Sequence, residues 1–256
     1  MRALFAFIKK EWMEWLRSGR ITILAILFLL LGIMNPAIAK LTPWMMEMMS
    51  ESLEEAGFIV ANVEVDALTS WTQFFKNIPI GLIAFVLICS GIFTKEYQSG
   101  TLILVLTKGL KRGKVLIAKS LLLVTAWTIF YWFCYGITYF YNAYFWDNSI
   151  AEHLGFSVTC WWLFGVWVIS LMILFSVLTD SNTGVLAGAG GVVFGIYLLS
   201  MIPKIEKWLP TKLMGSGTLL TSIEEVSVYE KAILITCIWM ILNIFISFPI
   251  INKKKI

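Results

Sequence analysis

Six runs of this sequence, residues 21–39, 78–94, 115–139, 158–178, 184–202 and 232–251, are apolar almost without a break. A helix needs ~20 such residues to cross the hydrocarbon core of a bilayer. Inside that core every backbone polar group must be satisfied within the chain, so only helices and closed barrels can span it. Barrel strands alternate in polarity, and these runs do not. A water-soluble fold is excluded by composition. Hydrophobic residues make up 59% and charged residues 14% of the chain, against about 45–50% and about 25% in soluble domains. Too few polar side chains remain to cover such a core. The predicted fold class is an all-α membrane protein with six transmembrane helices and one domain over residues 1–256. The second run is short unless it begins near Trp71.

The first run ends in Ala37-Ile38-Ala39, which resembles a signal-peptidase site. Its length exceeds a signal sequence's apolar core, and Glu11 and Glu14 precede it in a helical pattern. A retained first helix is therefore expected. With both termini inside, the inner loops carry 14 of the 20 lysines and arginines and the outer loops six. This is the positive-inside distribution. The acidic loop with Glu47, Glu51, Glu54, Glu55, Glu64 and Asp66 then faces outward. Net charge is only +4, and the expected partner is the lipid bilayer rather than nucleic acid.

Motifs of chemistry fail one by one. Cys89, Cys134, Cys160 and Cys237 are far apart, and His153 is the only histidine; a zinc site needs about four clustered ligands. No metal site is expected. Neither H-E-x-x-H nor G-x-S-x-G occurs. The run from Gly109 through Gly113-Lys114 to Val115 imitates a phosphate-binding loop, but it is one spacer short and lacks the hydroxyl that would hold magnesium. No catalytic residue and no cofactor is assigned to this chain. Charge is almost absent from the spans. Lys119, one turn into the third, is read as snorkelling to the inner surface. There is no mid-membrane carboxylate chain for proton or sodium coupling.

Three segments carry more information. Gly184, Gly188, Gly191 and Gly195, with Ala187, form a small-residue stripe that lets another helix approach closely, either within this chain or in a second subunit. Residues 1–20 place Phe5, Ile8, Trp12, Trp15 and Leu16 at helical spacing, opposite Lys9, Lys10, Glu14 and Arg17. This is an amphipathic interfacial helix. In the inner loop, residues 95–113, Ser99-Gly100-Thr101 breaks the descending span, Leu102 to Leu106 is too short to cross, and Gly109 ends it. A short helix beneath the membrane is predicted.

This arrangement resembles the permease subunit of type-2 ABC transporters, six-helix exporter subunits that pair with separate ATPase chains. The resemblance rests on Lys10-Glu11 and Arg17, then Glu96, Gly100-Thr101-Leu102, Leu106-Thr107, Arg112 and Lys119. The chain departs from the pattern at Gly109-Leu110-Lys111, where the family often has Pro-Ile-Ser, and in its very short inner loop Asp180-Ser181-Asn182-Thr183. The resemblance implies that Glu96, Ser99, Gly100, Thr101, Leu102, Leu106, Thr107, Lys108 and Arg112 form an ATPase-coupling segment. Its helix would sit in a cleft of the ATPase, with Glu96 and Arg112 pairing with ATPase charges. Lys10, Glu11, Trp12, Trp15 and Arg17 would form the interfacial helix, with Glu11 and Arg17 bracing the same partner. ATP and magnesium would be bound by the ATPase, present in two copies beside a pair of permeases, expected to be a homodimer. The implied location is the cytoplasmic membrane of a bacterium. The resemblance also implies short re-entrant helices in the outer loop, residues 203–231.

Ten of the sixteen residues from Tyr131 to Trp146 are aromatic. They read either as an interfacial belt or as a greasy path for cargo. Together with the uncharged spans, they favour a hydrophobic or amphipathic substrate, a toxin- or bacteriocin-like peptide foremost. The alternative class is a stand-alone facilitative channel or membrane scaffold.

Overall fold

The structure, a computed structural model, describes residues 2–55, 65–107 and 109–254. Among these there is no strand. The helices are α1 (Arg2–Arg17), α2 (Arg20–Glu55), α3 (Ala67–Cys89), α4 (Gly91–Ser99), α5 (Thr101–Thr107), α6 (Arg112–Phe145), α7 (Leu154–Leu178), α8 (Asn182–Ser200), α9 (Pro203–Glu206) and α10 (Glu230–Lys253). Six helical stretches are long and apolar enough to cross a membrane: α2, α3 with α4, α6, α7, α8 and α10. One end of the bundle carries α1, α5 and Lys254. We call it the near end, and the other the far end.

The spans are longer than their apolar runs. The second begins at Ala67, not Ile78, because Asp66 caps it: its carboxylate accepts from the Thr69 backbone N–H at 2.9 Å. This supplies one of the orphan donors at a helix start. The polar residues after Trp71 hid this portion. Among them Asn77 is bonded across to Asn35 at 2.9 Å, and Lys76 is exposed. The third span runs to Phe145, so most of the aromatic cluster lies on a helix rather than in a loop.

Proline in α2 shows how such a bundle repairs itself. Pro36 has no N–H to give to the Gly32 carbonyl four residues earlier. The Thr138 hydroxyl on α6 donates to that carbonyl at 3.0 Å, and accepts from Asn35 at 3.1 Å. Ala37 and Ala39 lie in mid-helix, with Ala39 buried.

Lipid is as apolar as leucine, so packing and cross-helix hydrogen bonds hold the spans together. The centre is α7, with 72% of its spanning stretch buried. Two indoles here find partners: Trp127 donates to the Trp162 carbonyl at 3.1 Å, and Trp161 to the Met214 carbonyl at 2.9 Å. By contrast, only 17% of the spanning stretch is buried in α8 and in the last span. These two helices form an open flank.

The far-end connection is α9 followed by 3-10 turns, Pro210–Thr221 and Val226–Tyr229. Leu213, Ser216, Leu219 and Leu220 are buried there. The Ser216 hydroxyl donates to the Ser157 carbonyl of α7 at 2.9 Å. The segment therefore plugs down onto the bundle instead of lying loose.

Candidate functional site

The site is built around α5. Gly100 adopts φ 67° and Gly109 φ 87°. This left-handed region is open to glycine and costs most other residues. The two glycines break the chain on either side of the seven-residue helix Thr101–Thr107. Ser99 and Thr101 hydroxyls pair at 2.9 Å across the break. Leu102 is buried with Phe7, Leu110, Val115 and Ala118, and Leu106 packs against that small cluster. Thr101, Ile103 and Thr107 are exposed. So α5 rests on α1 and the start of α6 by one face and offers the other. Lys108, expected to belong to this segment, lies outside the described residues.

Beside α5 lies a cluster of buried charge. Lys119 is 1% exposed, Glu11 2% and Glu96 8%. The Lys119 ammonium is 2.8 Å from Glu11 Oε2 and 3.1 Å from Glu96 Oε2, and it donates to the Ile92 carbonyl at 3.0 Å. Lys10 closes the ring from the surface, 2.9 Å from Glu11, 3.1 Å from Glu96 and 3.0 Å from Glu14. The arrangement thus joins α1, α4 and α6. The carboxylates of Glu11, Glu14 and Glu96 converge within 4.8 Å, close enough to share a metal ion. The Lys10 ammonium bonds all three and stands where such an ion would sit. Burial pulls Lys10 down, but hydrogen bonds to Glu11 and Glu14 and the surrounding carboxylates outweigh it and hold it above the ordinary lysine range. Burial likewise raises Glu14, yet Lys10 prevails and holds it below the usual carboxylate range.

This geometry corrects several sequence expectations. Lys119 does not snorkel; burial with two carboxylates in reach is the better satisfied state for an ammonium one turn into the bilayer. Glu96 and Glu11 do not reach outward for a partner's charges, because both are spent inside the chain. Arg112 turns to α10, donating to the Ile251 carbonyl at 3.2 Å and to the Asn252 and Lys254 carbonyls. These are orphan acceptors of a helix end, which a cation suits. On α1 the buried line is Phe7, Glu11 and Trp15, whereas Phe5 and Leu16 are exposed and Trp12 is half-buried. The helix has a protein-facing side that includes a charge, and a separate apolar side. Arg17 is exposed.

The glycine stripe also divides. A Cβ on Gly188 would meet the Phe175 ring at 2.2 Å, and one on Gly184 would meet Thr179 at 3.0 Å. These two serve packing within the chain. A Cβ on Gly191 or Gly195 would meet nothing within 4 Å. Their side of α8 is open; a different face of α8 borders an apolar cavity of about 450 Å³ lined by Leu82, Val86, Trp161, Phe164, Val193 and Phe194 among others.

Sequence reasoning missed Lys254, Asp180 and Tyr97. Lys254 ion-pairs with Asp180 at 2.7 Å and lies 4.1 Å above the Tyr97 ring. A lysine following the last span was the available signal; it was counted only toward orientation.

Six membrane-competent helices, a first helix packed against their near end and a short helix with an exposed face between the second and third spans define a polytopic membrane protein. The model of the ABC-2 family transporter proteins matches residues 5–214, and the chain belongs to that family. It is an integral membrane protein of the transport class, whose members work with an ABC ATPase. It is also similar to an uncharacterized transmembrane protein, YxlG, of Bacillus subtilis (strain 168). The two are 20% identical over 222 residues, covering 83% of each chain.

Proposed function

We propose that this chain is the permease of an ATP-driven exporter, moved by separate ATPase subunits that grip α5 from the cytoplasm. The observation that carries this reading is the mounting of α5. A stub with an exposed face is seated through Leu102 on an apolar cluster from α1 and the start of α6, and the helix that leads into it, α4, is fastened to the same two helices by buried ion pairs. A lever must be rigid where it meets the load, and a buried network of ion pairs supplies that rigidity. ATP-driven closure of two ATPases would press on two such levers and tilt the spans behind them.

In this reading both termini are cytoplasmic and the membrane is a bacterial cytoplasmic membrane. Two copies of the permease pair along the open side of α8, where Gly191 and Gly195 allow close approach. The cavity between α3, α7 and another face of α8 has no charged residue in its lining. It suits the apolar part of an amphipathic cargo, an exported peptide foremost.

Replacing Gly100 and Thr101 by leucine forces a side chain into the left-handed region and stiffens the hinge of α5. Transport in proteoliposomes should be lost while membrane insertion and ATPase binding persist. Undiminished transport by that variant contradicts the lever.

A further inference from the structure

The α7–α8 connection, residues 177–182, is held from two sides. On one side stands α4, the helix that leads into α5. Thr94 on α4 hydrogen-bonds the Asn182 side chain at the start of α8, and Gln98 donates to the Asp180 carbonyl at 3.0 Å. The fit is close: a Cβ on Gly91 of α4 would lie 3.1 Å from the Asn182 amide. On the other side stands Lys254. Its ammonium donates to the Val177 carbonyl at 2.9 Å and the Thr179 carbonyl at 3.0 Å, and pairs with Asp180 Oδ1 at 2.7 Å.

An ammonium has three N–H donors and a helix end offers uncapped carbonyls, so three acceptors on one turn make a complete match. The same ammonium lies over Tyr97 of α4, 4.1 Å from the ring centroid. Arg112 fixes the backbone around Lys254 by donating to the Ile251, Asn252 and Lys254 carbonyls. A chain of defined contacts thus runs from both flanks of α5 into the turn that begins α8. That matters because α8 is among the least enclosed of the spans and carries three open glycines, Gly190, Gly191 and Gly195. It is free to move as a unit if its near end is driven.

We propose that Lys254 is a positioning residue that locks the α7–α8 turn to the segment carrying α5, so that α8 moves with that segment. The mechanical lock stands on contacts within the chain. Its consequence for transport rests on the reading given under Proposed function.

The test uses the full chain in lipid nanodiscs, with the four native cysteines replaced by serine. Spin labels are placed at two exposed positions, Ile103→Cys on α5 and Thr183→Cys on α8. A control pair joins Ile103→Cys to Leu16→Cys, exposed on α1. Double electron–electron resonance should show one narrow distance for both pairs. In Lys254→Met the α5–α8 pair should lose its single narrow distance while the control pair keeps it. An α5–α8 distance that stays narrow in Lys254→Met overturns the lock. So does equal broadening of both pairs, which would mean general loosening. No ATPase, nucleotide or cargo enters this measurement, so its outcome stands apart from the exporter reading. With the ATPase present, Lys254→Met should lower cargo moved per ATP while ATP turnover is kept. A proportional fall of both would show a role in stability alone.

Discussion

Both ends of the bundle place lysine among glutamates, and the two clusters behave differently. At the near end Lys119 and Lys10 reach Glu11 and Glu96, residues as many as 108 positions apart, in a buried ring. At the far end Lys212 meets Glu206 at 3.2 Å and Glu224 at 2.7 Å, six and twelve positions away, in a partly exposed connection. Glu224 also accepts from the Tyr229 hydroxyl at 2.5 Å. The far-end cluster shapes its own loop. The near-end cluster fastens three helices, α1, α4 and α6, and desolvation makes each buried member dependent on the rest. Charge is used as a tertiary fastener at the near end, the end where the proposed lever would carry force.

That contrast breaks most directly at Lys119. Lys119→Met strands two buried carboxylates and should cost about 3–5 kcal/mol, read as a large drop in thermal unfolding midpoint in detergent. Glu96→Gln keeps hydrogen-bond capacity and removes one charge, and should cost less. Equal stability of Lys119→Met and the parent would reduce the ring to a surface decoration.

The far end should respond weakly. Glu224→Gln should cost at most about 1 kcal/mol, discounted because solvent screens this pair. Its pH dependence has a defined sign. Burial raises Glu224, but Lys212 and Tyr229 prevail and hold it below the usual carboxylate range. The folded state therefore binds fewer protons than the unfolded one near that range. The contribution is present at neutral pH and is lost as pH falls through the folded value. Unfolding midpoints of parent and Glu224→Gln should converge under acid; a gap that widens under acid reverses the assignment.

Much of the framework was legible. Long apolar runs fixed the number of spans, and the paired glycines Gly100 and Gly109 announced a short helix, because each stands where the backbone needs a positive φ. What stayed hidden depends on pairing across the fold. Asn77 looked too polar for a span until Asn35 met it. Glu11 read as a brace against a partner until Lys119, 108 residues on, met it inside the fold. Gly188 and Gly191 share one small-residue stripe on α8, and the packing of Phe175 against the first alone separates them. Helical periodicity reports which side a residue takes, never who waits there.

The central claim is that a motor grips α5. It is tested most directly by site-specific cross-linking in cells that co-produce an ABC ATPase, from Ile103→Cys on α5 and from Ile223→Cys, strongly exposed at the far end. The account predicts a permease–ATPase adduct from position 103 and none from position 223. Adducts from neither position, or equally from both, would contradict it.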